Sequence, residues 1–427
     1  MPRSAVLSEP LGKPKNEPRP RTFSSYTCGV KFQGLVHLLA IAGSFGSTFA
    51  CGKVVDEIGN DGGRDSSGDV FAVDSHSGSN SGDDEIYATP DSSVDVLTPD
   101  VVAEVPPCPD AGDSGVPSPS CAPGGDGMTN CGSCNESCCT SPEIEGGTYD
   151  RTYTYGDTSS YANPAMVSGF RLDKYLVTVG RFRQFVAAWS NGAGYLPSSG
   201  AGKHTHLNAG LGLENSGSPG TYETGWDATD DSYIDPTDAN LACQAPSNTW
   251  TNTSGGGQEN LPINCVTWQE AYAFCIWDGG FLPSEAEWEY AAAGGRQQRQ
   301  YPWGSTDPGT NNQYAIYGCD YPSAAGICDA PGVGNIAPVG TASRGVGLWG
   351  QLDLVGEVWE WNLDWYASYE NPCSDCAYLK YSKASLGRVY RGGIYGDVPI
   401  FLLPPTRSAH PPTLRNSGFG FRCAKTP

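Results

Sequence analysis

The chain has 427 residues, with 47 Asp and Glu against 25 Lys and Arg, so its formal net charge is −22. A field of that sign repels nucleic acid and anionic lipid headgroups, which argues against a nucleic-acid-binding protein. The 56 glycines and 33 prolines are too many for a regular helical or sheet protein, and predict a loop-rich globular part joined to an unstructured one.

The first 50 residues are typical of an export signal. A basic stretch containing Lys13 and Lys31 precedes an apolar run that is too short and too weak for a good membrane-spanning helix. The run ends before Cys51 in a pattern that resembles the lipobox of bacterial lipoproteins, whose cysteine is lipidated after cleavage. We expect a cell-envelope protein, periplasmic or surface-exposed, that meets the outer or cytoplasmic membrane only through a lipid on Cys51. An ordinary signal peptide is the alternative.

Residues 51–107 predict a disordered tether. The segment is dominated by Asp, Ser and Gly, and it cannot bury enough apolar surface to offset the entropy of ordering it. Its acidic residues show no EF-hand spacing, so a solvated linker is favoured over a calcium site.

The sixteen cysteines predict disulfides, because an exported chain meets an oxidising compartment. Six of them fall in a small Cys-rich segment, residues 108–144, whose connectivity the sequence does not reveal. In the globular part we expect Cys319 to pair with Cys328. Cys373 and Cys376 belong to one or two disulfides that staple a loop, and Cys243–Cys265 is a further plausible pair.

From about residue 145 the sequence predicts an irregular, loop-rich α+β domain that extends to residue 427. Thr178 can cap a helix with apolar residues at helical spacing, and Thr267 and Ser284 each begin a capping box. Gly294 ends the third of these helices. Residues 191–260 show no sustained period and predict long surface loops, and the last third mixes short aromatic strands with turns.

Several segments of this domain, taken in order, resemble one known family. The strongest reads Leu-Pro-Ser-Glu-Ala-Glu-Trp-Glu-Tyr at 282–290, and a second reads Leu-Val-Gly-Glu-Val-Trp-Glu-Trp at 354–361. The remaining segments lie at residues 146–149, 170–182, 265–268, 301–304, 347–348, 391–393 and 420–423. Together they resemble the formylglycine-generating enzyme, or sulfatase-modifying factor, family. The resemblance covers about residues 145–427 and implies a disulfide-stapled variant of the C-type lectin fold.

The family resemblance implies an oxidase, but this chain lacks the residues that such an oxidase uses. Enzymes of the family convert a cysteine of a client sulfatase to formylglycine with O2 and copper(I), which two cysteines bind after the Arg-Gly-Gly motif. Copper(I) prefers soft thiolates, and two suffice for near-linear coordination. Here residues 394–407 hold no Cys, His or Met, and Asp397 is a hard oxygen ligand. We therefore expect no copper, assign no catalytic residue and predict a pseudoenzyme.

Calcium is the cofactor that the resemblance favours. The family's ligands carry over to Asp353, Gly356, Val358 and Glu360, and oxygen ligands suit this hard cation. The alternative is that Asp353 and Glu360 are ordinary surface carboxylates. We do not expect the family's second calcium site, since Ile316 and Pro331 replace its side-chain ligands; Asn312 and Asp329 could serve only if the loops shift.

Three further assignments depend on the resemblance or on local pattern. The family has a disulfide at the positions of Cys275 and Cys423. Arg391 and Arg407 either flank the family's active-site pocket or form salt bridges with nearby carboxylates. The pair His204 and His206 has metal-like spacing, but no third ligand is identifiable, so exposed loop histidines are the better interpretation.

Three hypotheses for function follow. The first is a non-catalytic binding module for a peptide, a glycan or an envelope protein, with no nucleic-acid partner. The second is a copper- and O2-dependent formylglycine-generating oxidase that works through a non-standard site. The third is a structural envelope component. The missing cysteine pair favours the first over the second, and the long loops favour it weakly over the third.

Overall fold

The computed structural model describes residues 118–323, 326, 328, 334–381 and 385–427. The signal-like segment, Cys51 and the acidic tether all lie outside these residues. Within the described ranges, no helix combines the length and the apolar character needed to cross a membrane.

Three helices begin at the capping residues that the sequence predicts, and a fourth, one-turn helix was not predicted. Helix α1 (Val179–Trp189) is capped by the Thr178 side chain, and the one-turn helix α2 spans Asp238–Leu241. Helices α3 (Trp268–Trp277) and α4 (Glu285–Ala293) each begin with a complete capping box. The left-handed Gly294 ends α4, as predicted.

The strands are short and form four small sheets. Strands β1 (Glu143–Ile144), β4 (Phe170–Leu172) and β12 (Ala424–Lys425) form one, in the order β1-β4-β12. The second follows the order β10-β9-β6-β11, with β6 at Trp359–Trp365, β9 at Arg388–Arg391, β10 at Arg407–His410 and β11 at Phe419–Gly420. The third places the hairpin of β2 (Gly147–Thr154) and β3 (Asp157–Val167) beside β7 (Cys373–Ser374), and the fourth pairs β5 (Glu214–Asn215) with β8 (Cys376–Ala377).

The core lies around α3 and α4, because both helices are buried on nearly every side. Phe182 of α1 stacks on Phe274 of α3 with ring centroids 5.7 Å apart, and Phe421 packs edge-on against both rings. Beside these rings, a disulfide joins Cys275 of α3 to Cys423, the pairing that the family resemblance implies. The central helix is thus fixed to the C-terminal strands by packing and by a covalent bond.

The Cys-rich segment packs onto this core. Its disulfides join Cys121 to Cys139 and Cys131 to Cys138, and Cys134 is also disulfide-bonded. The buried Arg181 of α1 donates to the Cys138 carbonyl, and it also binds two buried carboxylates. Residues 118–142 are therefore held to α1 by buried polar contacts.

Residues 191–260 are mostly irregular, as predicted, but they are anchored. Trp226 is buried against Tyr272 of α3, and its indole N–H donates to Asp231. The disulfide Cys243–Cys265 ties the end of the loop region to the segment before α3. The loops therefore cover the α3 side of the core.

Candidate functional site

The segment that follows the Arg-Gly-Gly motif forms a short turn of helix instead of a thiol site. Residues Pro399–Leu402 form a 3-10 turn, and the chain then enters β10 at Arg407. Every cysteine that the structure describes is disulfide-bonded, including Cys373 and Cys376, which pair with each other. No described cysteine therefore offers a free thiolate in this state.

Arg391 lies beneath this segment in a buried network of charges. Its Nη2 lies 2.7 Å from Glu285 Oε1 and 2.8 Å from Glu289 Oε2, and the Tyr369 hydroxyl is 2.6 Å away. Burial alone would raise the pKa of Glu285, but Arg407 and Arg391 hold that pKa below its usual range. Arg391 is therefore a salt-bridged structural residue, the alternative that the sequence left open.

Arg407 also pairs with Glu285, and it lines a small cleft beside this network. Two guanidinium groups lie over the Tyr369 ring, with Arg151 4.4 Å and Arg407 4.3 Å from its centroid. Cys376 also lines the cleft, which holds about 10 Å³, enough for one water molecule. Arg407 thus lines a cleft and forms a salt bridge with Glu285, the two kinds of role that the sequence left open. The sequence did not indicate Arg151 or Tyr369, which come from distant segments.

Burial shifts the pKa of Glu289 strongly. Its Oε1 has no hydrogen-bond partner among the described residues. Burial raises its pKa to about 8, although Arg391 opposes the shift. Glu289 is therefore largely protonated at neutral pH, whereas Glu285, with two arginines, is ionised.

A larger groove lies on the other side of the 3-10 turn. It encloses about 400 Å³ between the tip of the β2–β3 hairpin and residues 400–406. Its lining is mainly apolar and includes Tyr153, Tyr155, Ile400, Leu403 and Pro405. Tyr155 is 48% exposed and Ile400 is 63% exposed, so these side chains can contact a partner. The cysteine-free segment thus presents apolar surface.

The two carboxylates proposed for calcium are buried, and are not ordinary surface groups. Asp353 is 6% exposed and Glu360 is 1% exposed. Asp353 Oδ2 accepts from the Gly340 amide at 2.6 Å, and burial raises its pKa to about 6. Both Glu360 oxygens accept from the Arg422 guanidinium, at 2.7 and 2.9 Å. Glu360 is thus charge-compensated, whereas no described cation pairs with Asp353.

Sequence reasoning missed a third carboxylate, Glu357. It is 2% exposed, it accepts from the Ala337 amide at 2.6 Å, and burial with the nearby Asp353 raises its pKa well above the usual value. Gly356 and Val358 flank Glu357 in the same irregular segment.

The buried oxygens of Asp353 and Glu357, which pair with no described cation, are the donor type that calcium prefers, whereas both oxygens of Glu360 already accept from Arg422. No cluster of three or more His, Cys, Asp or Glu side chains suited to a metal occurs in the described ranges. Of the four ligands that the family resemblance implies, only Asp353 and Glu360 are side chains of these types, because Gly356 and Val358 would bind through backbone carbonyls.

The expectation of exposed loop histidines is wrong for His204. Its ring is wholly buried, with Nδ1 3.1 Å from Glu223 and Nε2 3.1 Å from Glu287. Burial opposes protonation, but the two carboxylates outweigh it and raise the pKa of His204 to about 10. The neighbouring His206 stacks on Phe281, and burial lowers its pKa. His204 is a buried cation that fixes the loop to the beginning of α4.

Comparison with known proteins agrees with this architecture. Residues 132–427 match the model of a family described as sulfatase-modifying factor enzyme 1-like domain. The formylglycine-generating enzyme of Mus musculus is 34% identical over 172 residues, which are 39% of this chain and 45% of the mouse protein. The inactive C-alpha-formylglycine-generating enzyme 2 of Bos taurus is 31% identical over 186 residues, covering 41% and 55% of the two chains.

The chain thus spans about half the length of the curated relatives it matches. Among solved structures, PvdO from Pseudomonas aeruginosa aligns with 67% of this chain and 93% of its own, at 18% identity and a TM-score of 0.40. The family model covers well over half of the chain and includes every segment from the Gly-Gly-Thr-Tyr strand to the terminal Gly-Phe-Arg-Cys. This chain belongs to the sulfatase-modifying-factor, or formylglycine-generating enzyme, domain family.

Proposed function

We propose that this protein is an envelope-anchored, non-catalytic member of its family that binds a polypeptide segment. The observation that carries the proposal is the absence of a thiol in residues 394–407, where the family's oxidases bind copper(I). The carboxylate of Asp397 cannot replace a thiolate for this soft ion. A relative named as inactive, 31% identical over 186 residues, supports a non-catalytic role.

The groove supports a polypeptide ligand over a glycan. A site for a sugar needs many hydrogen-bonding groups. A site for apolar peptide side chains is lined instead by apolar and aromatic groups, with few polar ones. Tyr153, Ile400, Leu403 and Pro405 provide the second kind of surface. Val398, Ile400 and Phe401 are exposed close together in the chain, and a contiguous apolar patch of this kind is typical of an interaction site.

Calcium has a structural role in this proposal. Asp353 and Glu360 would supply carboxylate oxygens, and Gly356 and Val358 would supply carbonyls. The ion would compensate the buried charge of Asp353 and hold the turn between the core and β6. It takes no part in ligand binding.

Peptide selection against the full-length protein tests the binding proposal. We expect selected peptides to be enriched in apolar residues, and Ile400→Asp to weaken their binding at least about tenfold. Leu211→Asp is the matched control, because Leu211 is 48% exposed and lies outside the groove. Equal effects of the two substitutions would contradict the proposal.

One observation favours the second candidate function, an oxidase that works through a non-standard thiol site. Cys376 lines the cleft beside Arg407, so reduction of Cys373–Cys376 would place one thiol in the cleft and its partner thiol three residues earlier in the chain. If this site were catalytic, copper(I) would bind the reduced protein and Cys373→Ser would abolish that binding. Unchanged copper(I) binding in Cys373→Ser and Cys376→Ser would remove this site from contention.

A further inference from the structure

Strand β10 (Arg407–His410) is an outer strand of its sheet. The order β10-β9-β6-β11 leaves β10 with one neighbour, β9, whereas the strand at the opposite edge, β11, is buried. All four residues of β10 are half-buried, so the outer edge of this strand reaches solvent. Among the described residues, only those of β9 hydrogen-bond to the backbone of β10.

The register of β10 leaves some of its backbone groups without a partner strand. Residues Arg407–His410 face Arg388–Arg391 of β9 in an antiparallel pair that has no bulge. In such a pair, residues that hydrogen-bond to the partner strand alternate with residues whose amide and carbonyl point away from it. Every second residue of β10 therefore directs a donor and an acceptor outward, and another extended chain matches this pattern.

This edge is continuous with the apolar groove. Thr406 lines the groove, and the next residue, Arg407, begins β10. Arg391 fixes the chain between the two, because its Nη1 donates to the Pro404 carbonyl at 2.7 Å and to the Thr406 carbonyl at 3.4 Å. The Thr406 amide also donates to the Leu403 carbonyl at 2.9 Å. The strand edge and the groove are therefore neighbouring parts of one fixed surface.

The side chains of β10 leave its outer edge open. Edge strands are often protected by a proline or a bulge, whereas β10 contains no proline and pairs without a bulge. Its two central residues are a serine and an alanine, which are small. Its two large side chains are held by neighbours, since Arg407 pairs with Glu285 and the His410 ring stacks on Tyr390 of β9.

We propose that the polypeptide ligand adds to β10 as a further strand of this sheet and places its next apolar side chains in the groove. The inference rests on the proposed polypeptide-binding function and adds the binding mode and the kind of segment. Antiparallel pairing is the more stable arrangement, and it runs the ligand from His410 towards Arg407. The ligand is therefore an extended, strand-forming segment with apolar residues at its C-terminal side. Backbone hydrogen bonds provide affinity, and the groove provides sequence preference.

A backbone N-methyl scan of a synthetic peptide tests this binding mode on the full-length oxidised protein. The probe alternates Thr and Val and ends in two leucines, and each variant carries one N-methyl group, which removes an amide donor and keeps the side chain. We expect methylation to weaken binding at least about tenfold at every second paired position, and less than about twofold at the positions between. Equal effects at adjacent positions, or no binding of the unmethylated probe, would overturn the proposal.

Two proline variants test the same edge from the side of the protein. Proline has no amide donor, so an edge strand tolerates it only where that amide points to solvent. Of Ser408→Pro and Ala409→Pro, we expect one to keep the wild-type melting temperature and to weaken binding of the probe at least about tenfold. The other should lower the melting temperature, because it breaks the pairing with β9. Wild-type affinity in the variant that keeps its melting temperature would overturn the proposal.

Hydrogen exchange distinguishes the possible occupants of the edge. The outward amides of residues 407–410 should exchange quickly in the free protein and slowly when the probe is bound. Exchange that the probe leaves unchanged would overturn the proposal. Slow exchange without the probe, in a protein that sediments as a dimer, would assign the edge to a second copy of the chain and would also overturn it.

Ile400→Asp separates this inference from the proposed function. If this variant binds the probe more weakly while the N-methyl scan is flat, the groove is supported and the added strand is overturned. If the variant binds the probe as tightly as the wild type while the scan alternates, the added strand is supported and the groove is excluded as the peptide site.

Discussion

His204 Nε2 lies 3.1 Å from Glu287 Oε2, and both side chains are almost completely buried. Glu287 is also the N3 residue of the α4 capping box, so its carboxylate contacts both the start of the helix and the loop histidine. Glu223 lies on the opposite side of the ring, 3.1 Å from Nδ1. The loop of residues 199–226 is thereby tied to the most buried helix of the domain.

This relationship predicts a pH-dependent contribution to stability. The pKa of His204 is raised to about 10 when folded, against about 6.5 in an unfolded chain. A raised histidine pKa stabilises the fold fully below the unfolded value, and that stabilisation is lost as the pH rises from about 6.5 to 10. We expect His204→Ala to lower the free energy of unfolding by about 3–5 kcal/mol at pH 6, because two buried carboxylates lose their cation.

Urea unfolding of the disulfide-intact protein checks this at pH 6 and pH 10. The penalty of His204→Ala should shrink at the higher pH. His410→Ala is the control, because His410 is half-buried and forms no ion pair in the described structure. A penalty that is the same at both pH values would refute the buried imidazolium.

The raised pKa of Glu289 predicts a pH-dependent contribution to stability from a carboxyl group. Burial raises its folded pKa to about 8, so the protonated form is the one the fold favours. This contribution is fully present below the unfolded pKa, near 4.5, and is lost as the pH rises towards 8. Glutamine imitates the protonated carboxyl and keeps an acceptor for Arg391.

We therefore expect Glu289→Gln to match the wild type in melting temperature at pH 5 and to exceed it at pH 9. Scanning calorimetry across this range measures the difference. Glu285→Gln is the comparison, since Arg407 and Arg391 lower the pKa of Glu285, and it should destabilise at both pH values. Parallel profiles for Glu289→Gln and the wild type would contradict the assignment.

Calcium should stabilise the domain if Asp353 and its neighbours bind it. At a concentration 100 times the dissociation constant, a ligand of the folded state adds about 2.7 kcal/mol to the free energy of unfolding. We expect calcium to raise the melting temperature of the wild type and a chelator to lower it. Asp353→Ala should abolish the response, and Asp157→Ala, on the exposed hairpin, should retain it. An identical response in the two variants would exclude this site.

The helix boundaries that were predicted correctly depend on residues that are neighbours in the sequence. Capping boxes act over three residues, so Thr267 and Ser284 marked the starts of α3 and α4 correctly, and Gly294 marked the end of α4. The order of the family segments predicted the fold class. Cys275 and Cys423 were paired only through the resemblance, because 148 residues separate them.

Contacts between residues far apart in the chain could not be predicted from the sequence. Glu223 and Glu287 lie 19 and 83 residues from His204, and no local pattern links them to a Gly-rich loop. Glu357 carries no mark in the sequence that distinguishes it from a surface glutamate, although it is buried beside Asp353. The burial of such groups depends on how the loops cover the core. Loops have no sequence periodicity, so their paths cannot be predicted in the way that helices and strands can.

The most direct test of the central claim is turnover. The full-length, folded protein, calcium-loaded, is given copper(I), oxygen and a sulfatase-type cysteine peptide, and mass spectrometry reports whether the peptide thiol becomes an aldehyde. We predict no aldehyde, because residues 394–407 offer no thiolate for copper(I). Formation of the aldehyde would show that other ligands rebuild the oxidase site and would contradict the non-catalytic assignment.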